Sequence, residues 1–322
     1  MNNLITDVDG VKVGNYTDLK NLTGCTVILL PKNTIGSCDI RGGAPGSREL
    51  ALLSPEKHVE NINAIFLTGG SAFGLDATAG VMQFLSKKNI GYQTPWVTIP
   101  IVPAAVIFDY NFRKSKIYPN PKNGLTACKN ASKNYSLGNV GAGTGATIGK
   151  WNGSEFAMKG GLGSASKKIG DLIVGAIAIV NSVGDILDEN GKVLAGAISK
   201  NKFLGKAERD NCFYNKEVLQ KKGNTTLVVV ATNAILTKVE TNIVANRMHN
   251  GFARAIQPVH TSFDGDISFA MATNNINSSV DLVAELSAEV TASAIRSAVL
   301  NAKSLNGFLG LKNNPHKIKP KF

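Results

Sequence analysis

Cysteine is scarce in this chain, with four residues in 322, and Cys25, Cys38, Cys128 and Cys212 show none of the paired spacing of a zinc knuckle or redox motif. So few thiols in so long a chain exclude a disulfide scaffold and fit a reduced, cytoplasmic protein. Histidine is equally sparse. His58, His249, His260 and His316 stand apart in sequence with no HExxH pattern, so no metal centre is expected. Long apolar runs are missing too: the longest, Leu172 to Val180, is about half of what crosses a bilayer. The opening Met1–Asp7 lacks the basic start and apolar stretch of a secretory signal, so a membrane or export role is not expected. Aromatics reach only 7% and do not interleave with the lysines. The formal charge of +12 therefore does not add up to a stacking platform for nucleic acid, which would also bind with a steep salt dependence.

What is present is a globular composition, 43% hydrophobic and 18% charged, in a length that suits one large domain or two ordinary ones. The 33 glycines gather in short clusters between apolar runs, where tight turns bring backbone close to something else. Residues 4–31 read as short strands with a turn at Asp9-Gly10, and 38–48 as a Gly/Pro-rich loop carrying Arg41 and Arg48. A strand at 64–67 feeds Thr68-Gly69-Gly70-Ser71 and a helix over about 76–86. The spacing there is neither GxGxxG nor GxxxxGK[ST], so no nucleotide and no other cofactor is expected. Residues 99–108, with Pro100 and Pro103, read as an edge strand, and 110–137 as an exposed loop with a short helix. A glycine tract at 138–150 precedes strands near 159–166 and 174–183. Residues 185–224 are polar and end in a flexible basic stretch before a strand at 225–232. Thr237-Lys238-Val239-Glu240 is a capping box opening a helix to about 256, followed by a strand at 267–272, a helix over about 278–302 and a loose basic tail. Two sheets covered by helices is the economical arrangement.

The most informative segment is Lys221-Lys222-Gly223-Asn224-Thr225-Thr226, directly before Leu227-Val228-Val229-Val230. A Thr-Thr pair at a strand mouth has an ordinary reading in β-propensity. It also has a chemical one. If the Asn224–Thr225 bond were cut, Thr225 would carry a hydroxyl nucleophile and a free amine together. Thr225 Oγ would attack the Asn224 carbonyl, the acyl group would move from nitrogen to oxygen, and water would release chains 1–224 and 225–322. The new α-amine, with a reference pKa of ~7.7–8.0, is then neutral often enough to serve as a general base. Asp264-Gly265-Asp266 reads either as a turn before the 267 strand or as two carboxylates with a shared, raised pKa. In the second reading one orients the Thr225 amine and hydroxyl and the other holds a substrate ammonium. Asn181, after Ala178-Ile179-Val180, can satisfy its amide on a developing oxyanion, and glycine amides near 138–149 can add donors. Lys150 closes the glycine tract.

These residues lie within motifs that resemble the DmpA-like P1 peptidases of family S58, which include L-aminopeptidase/D-esterases, β-peptidyl aminopeptidases and nylon-oligomer hydrolases. The resemblance spans Ile5–Gly14, Arg41–Glu49, Leu67–Asp76, Val102–Ile107, Gly141–Ala146, Asn224–Leu227, Arg254–Thr261 and Phe263–Asp266, in one order. It implies a single catalytic domain over 1–322, an α/β four-layer αββα sandwich like that of N-terminal nucleophile hydrolases, and a homotetramer or larger assembly. It implies self-cleavage between Asn224 and Thr225, with the two chains staying together and small peptides or related amides as substrates. By the same resemblance Thr225 is the nucleophile, Asn181 stabilises the oxyanion, Lys150 positions or polarises, and Asp264 and Asp266 organise the threonine. A Thr rather than a Ser nucleophile resembles the nylon-oligomer branch. One departure stands out: Phe108 occupies a position where well-studied members carry a Tyr hydroxyl, and Tyr110 replaces it only if the strand is regular. The alternative is an impaired member that binds small molecules or assembles without turnover.

Overall fold

Successive residues of the longest apolar runs enter two different cores. Val228 and Val230 point into one, Leu227, Val229 and Ala231 into the other, as the two-residue period of a strand buried on both faces requires. The computed structural model describes residues 1–111, 113–214 and 223–312. Its principal strands are β1 (Lys12–Asp18), β2 (Thr23–Leu29), β3 (Ile35–Ile40), β4 (Ser47–Arg48), β5 (Ala64–Thr68), β6 (Ala104–Val106), β7 (Gly161–Ile169), β8 (Leu172–Asn181), β9 (Thr225–Ala234) and β10 (Ile267–Ile276). The helices that cover them are α1 (Thr78–Ser86), α2 (Pro121–Lys129), α3 (Lys238–Ala255) and α4 (Val280–Leu300).

One five-stranded sheet runs β1-β2-β5-β6-β4 and the other β7-β8-β9-β10-β3. Both repeat one direction pattern across the sheet: antiparallel, antiparallel, parallel, antiparallel. The parallel pair β9/β10 needs a crossover, and α3 supplies it. The Thr237–Glu240 capping box forms as the sequence predicts, with Glu240 N–H donating to Thr237 Oγ1 and Thr237 N–H to Glu240 Oε2. Helices α1 and α2 bring Val81, Leu85 and Ala127 onto Val27 and Phe66 of the first sheet. Ile28, Ile65 and Leu67 meet Ile177, Val229 and Phe269 between the sheets. Helices α3 and α4 lay Val244, Met248, Phe252 and Ile295 over the far face. The layers are therefore α, β, β, α, the sandwich expected. Each buried side chain of this kind is worth roughly 1.5–3 kcal/mol, so the strand mouths rest on a rigid base.

Three local expectations change. The 99–108 segment is not one edge strand: Thr98–Ile99 pairs with Tyr92–Gln93, and β6 lies inside the first sheet between β5 and β4. Pro100 and Pro103, having no N–H to donate, break the ladder between the two pieces. The 38–48 loop is shorter than its composition suggests, because β3 continues through Ile40 and Ser47–Arg48 pairs with β6. The polar 185–214 region holds short strands at Asp185–Leu187, Val193–Ala195, Ile198–Ser199 and Lys202–Phe203, and a helix at Lys206–Tyr214. The basic stretch expected to be flexible before Gly223, and the tail after Lys312, lie outside the described residues. Leu172–Val180, the longest apolar run, is most of β8, and among the described residues no helix is long and apolar enough to cross a membrane.

Candidate active site

The structure gathers Lys150, Asn181, Asn224, Thr225, Asp264 and Asp266 at one end of the second sheet, all of them buried. β8 and β9 end together there, with Asn181 opposite Thr225 in the antiparallel register. Asn224 extends β9 by one bridge, to Asp264, so the turn before β10 sits against the turn before β9. Two backbone bonds fix this: Asn224 N–H donates to Phe263 O (3.2 Å), and Gly265 N–H donates to Asn224 O (3.0 Å). Thr225 Oγ1 donates to the same Asn224 carbonyl oxygen in a very short contact. One carbonyl thus has an amide donor on its oxygen and its own downstream hydroxyl beside it. A Cβ on Gly265 would lie 2.7 Å from Thr225 Oγ1, so only glycine leaves the hydroxyl its place.

The Asn181 side chain is held at both ends. Its Oδ1 accepts from Lys150 Nζ (2.9 Å) and Thr147 N–H (3.0 Å), and its Nδ2 donates to Phe108 O (3.1 Å). Lys150 Nζ also donates to Asn181 O (2.9 Å). An ammonium has no lone pair to offer, so it fixes which end of the amide is the oxygen and aims Nδ2 away from itself. Thr147 and Lys150 are placed by the tract 138–150, which packs on the chain around it. Lys159 Nζ, for instance, donates to the Gly143 and Ala146 carbonyls (3.1 and 2.5 Å).

The two aspartates take different partners. Asp266 Oδ1 accepts from Thr226 N–H (2.6 Å), and Oδ2 faces the backbone N–H and Nδ1 of His260 (3.2 and 2.9 Å). Asp264 Oδ1 accepts from Val183 N–H (3.2 Å), and Oδ2 from the N–H and hydroxyl of Thr261 (3.2 and 2.5 Å). Burial, reinforced by the charge of Asp266, raises the pKa of Asp264 well above the carboxylate range, against smaller opposing pulls from its hydrogen bonds to Thr261 and Val183 and from Lys150. Arg41–Ala44 brace the turn: Ala44 N–H donates to Asp264 O (2.8 Å) and Arg41 N–H to Asp266 O (3.1 Å). Asp266 reaches β9 through Thr226 N–H, and neither carboxylate is bonded to the Thr225 hydroxyl, which donates to Asn224 O.

Phe108 enters the site twice, through its carbonyl on Asn181 and through a ring so close to Gly223 that a Cβ there would meet Phe108 Cγ at 2.6 Å. Tyr110 does not supply the missing hydroxyl to this cluster. The chain leaves β6 at Val106, and the Tyr110 OH donates to Gly70 O (3.4 Å) while its ring sits edge-on to Phe108. Sequence reasoning missed the Gly265 amide, the Phe108 carbonyl and His260. The first two are backbone groups without a side-chain signature. His260 stood in the quoted 254–261 motif, and its partner His249 follows Met248 on the buried stripe of α3.

A family model described as Peptidase family S58 matches residues 3–313. An uncharacterized aminopeptidase of Mycobacterium tuberculosis is 34% identical over 95% of this chain and 96% of its own length. A 6-aminohexanoate-oligomer endohydrolase of Kocuria is 33% identical over 84% of this chain and 75% of its own. Among solved structures, a β-aminopeptidase of Burkholderia superposes with a TM-score of 0.72 at 20% identity, covering 97% of this chain and 91% of that one. An L-aminopeptidase D-Ala-esterase/amidase of Ochrobactrum anthropi, described as a variant of the Ntn-hydrolase fold, gives 0.72 at 19% identity over 94% and 87%.

Proposed function

This chain belongs to peptidase family S58 and is a hydrolase, and from that premise we propose a self-processing amidohydrolase that cleaves small peptides or related amides through an acyl-enzyme on Thr225. The observation that carries the proposal is the Asn224 carbonyl, held between the Gly265 amide and the Thr225 hydroxyl. In self-processing, Thr225 Oγ bonds to the Asn224 carbonyl carbon and the oxygen gains negative charge. Gly265 N–H already donates to that oxygen and so stabilises the charge as it forms. The C–N bond to Thr225 breaks, its nitrogen takes up a proton, and water hydrolyses the resulting ester to leave residues 1–224 and 225–322 as one two-chain catalytic domain.

Thr225 is 4% exposed, and Gly223 and Asn224 immediately precede it in the chain. Departure of that segment would vacate the space a substrate acyl group needs, in reach of the Gly265 amide and Asn181 Nδ2. The freed α-amine takes the hydroxyl proton as Oγ attacks the substrate carbonyl, then passes it to the leaving amine. Water completes the cycle through the ester. Lys150 keeps Asn181 oriented, and the 264–266 turn holds the threonine. Small peptides are the substrate class that the aminopeptidase relatives support, with linear amide oligomers beside them on the strength of the Kocuria relative. The reading extends to a cytoplasmic homo-oligomer, supported for the compartment by four free cysteines. Intact-mass measurement during incubation tests the first step, with Thr225→Ala as control: two fragments from the native chain and none from the variant are expected. A single full-length species from both overturns self-processing.

A second reading has one observation behind it. Phe108 brings no hydroxyl to the site, and the Tyr110 hydroxyl is spent on Gly70. A chain that cleaves itself yet turns over no aminoacyl p-nitroanilide, β-peptide or nylon oligomer would be a binding or assembly protein on this scaffold.

A further inference from the structure

Behind Asp266 two imidazoles form a continuous line to the surface. Asp266 Oδ2 lies 2.9 Å from His260 Nδ1, and His260 Nε2 lies 3.1 Å from His249 Nδ1. His249 Nε2 in turn faces Asp39 Oδ2 (3.2 Å), Asp39 O (3.4 Å) and Ser268 Oγ (3.1 Å). The hydroxyl of Ser268 donates to Ala245 O (2.8 Å), which turns an oxygen lone pair toward His249. Every group at either end of the line is therefore an acceptor. Two neutral imidazoles carry one N–H each, yet the contacts Asp266–His260, His260–His249 and His249–Asp39 need three.

We propose that His260 and His249 share one extra proton, forming a cationic pair behind Asp266, and that they act as positioning residues for the Thr225 site. The inference rests on the hydrolase reading for its effect on rate, but not for the proton count. In one arrangement His260 carries both N–H groups and His249 only its Nε2–H. In the other, the proton between the rings has crossed 3.1 Å and His249 carries both. Burial lowers the pKa of His249, against the opposing pull of Asp39. Phe252 covers both rings, with centroids at 4.9 and 5.4 Å. The charged groups facing the pair are Asp39 and Arg41 from β3 and the loop after it, and Asp266 from the turn; Asp266 acts in turn on Asp264, and Lys150 on Asp264. Asp39 and the Arg41 guanidinium are ion-paired at 2.9 Å and partly exposed, giving the line an outlet to solvent. A fourth proton would set two N–H groups against each other and break the line, so acid should disturb Asp266 through the histidines.

His260 sits in the left-handed region at φ 54°, which asparagine tolerates, and an asparagine amide can still donate to Asp266. His260→Asn thus keeps the bond and removes the charge. Histidine-selective 15N NMR of the full-length native chain at neutral pH should show three ring-bound protons over these two residues. His260→Asn should lower kcat about tenfold or more with KM changed less than about twofold, and remove the acid limb that the pair gives to the pH–rate profile. Two neutral rings, or a His260→Asn profile that superimposes on the native one at equal kcat, overturn the proposal. If the native chain neither cleaves itself nor turns over substrate, the hydrolase reading fails, and the proton count alone decides the pair.

Discussion

Asn181 and Thr225 stand directly opposite one another as the last registered pair of the β8–β9 ladder. An amide donor and a hydroxyl are thereby fixed across a strand pair whose apolar remainder is buried on both faces. On the proposed reading, in which Asn181 Nδ2 serves the oxyanion, Asn181→Ala should lower kcat by about 10²–10³-fold with little change in KM. Lys150→Met should act in the same direction by freeing the Asn181 amide to turn. The two losses should combine less than additively, and a double-mutant cycle on kcat checks this. Full additivity would contradict the positioning role of Lys150.

Gly265→Ala should block self-cleavage more than it unfolds the protein. The new methyl would lie 2.7 Å from Thr225 Oγ1 and 2.8 Å from Ala44 O, forcing the hydroxyl away from the Asn224 carbonyl. A stability loss of about 1–3 kcal/mol is expected from overpacking, with fragment formation slowed at least about tenfold. Time-resolved intact mass beside a denaturant titration separates the two effects.

Phe108→Tyr should raise turnover of small amide substrates, by up to about 10²-fold if the added hydroxyl reaches the reacting oxygen. Self-cleavage should change far less, because the Gly265 amide already serves the Asn224 carbonyl. Unchanged steady-state kinetics in the variant would show that the native phenyl ring is no handicap.

Asp185 offers a pH test away from the reaction. It is buried, accepts from Trp151 Nε1 (2.9 Å) and Ala197 N–H (2.8 Å), and lies 3.7 Å from Arg209. Burial is the largest influence and raises its pKa from 3.8 to about 6. The native chain then holds this proton more tightly than the unfolded chain does. Stability is therefore greatest below the unfolded value and falls as pH rises toward the folded one, by on the order of 3 kcal/mol in all. Asp185→Asn should remove that slope, and equal slopes in urea titrations of both proteins from pH 4 to 7 would refute the assignment.

Side-chain chemistry and strand periodicity were legible in the sequence, and backbone chemistry was not. Leu227–Ala231 announced a doubly buried strand, Thr237–Glu240 a helix start, and Thr225 with the 264–266 aspartates a place to look. Nothing in the letters said that Gly265 would turn its N–H onto Asn224, since that depends on parallel pairing across the α3 crossover. His249 and His260 looked isolated because they are eleven positions apart; the end of α3 and the turn after it fold them ring to ring. The resemblance to family S58 brought Asn181 and Lys150 together, where spacing alone left them as two separate edges.

In the second sheet, β9 and β10 lie between β8 on one side and β3 on the other, and both flanking strands come from before the Asn224–Thr225 junction. A molecule nicked at that junction is held like interlocked fingers, with no loose piece to shed. Melting it is another matter, because the two polymers must then find each other again in solution, at a rate set by their concentration. If the chain processes itself as proposed, only the uncut form would carry its folding instructions on a single thread, and the durability of the nicked protein would be a question of lifetime rather than of equilibrium.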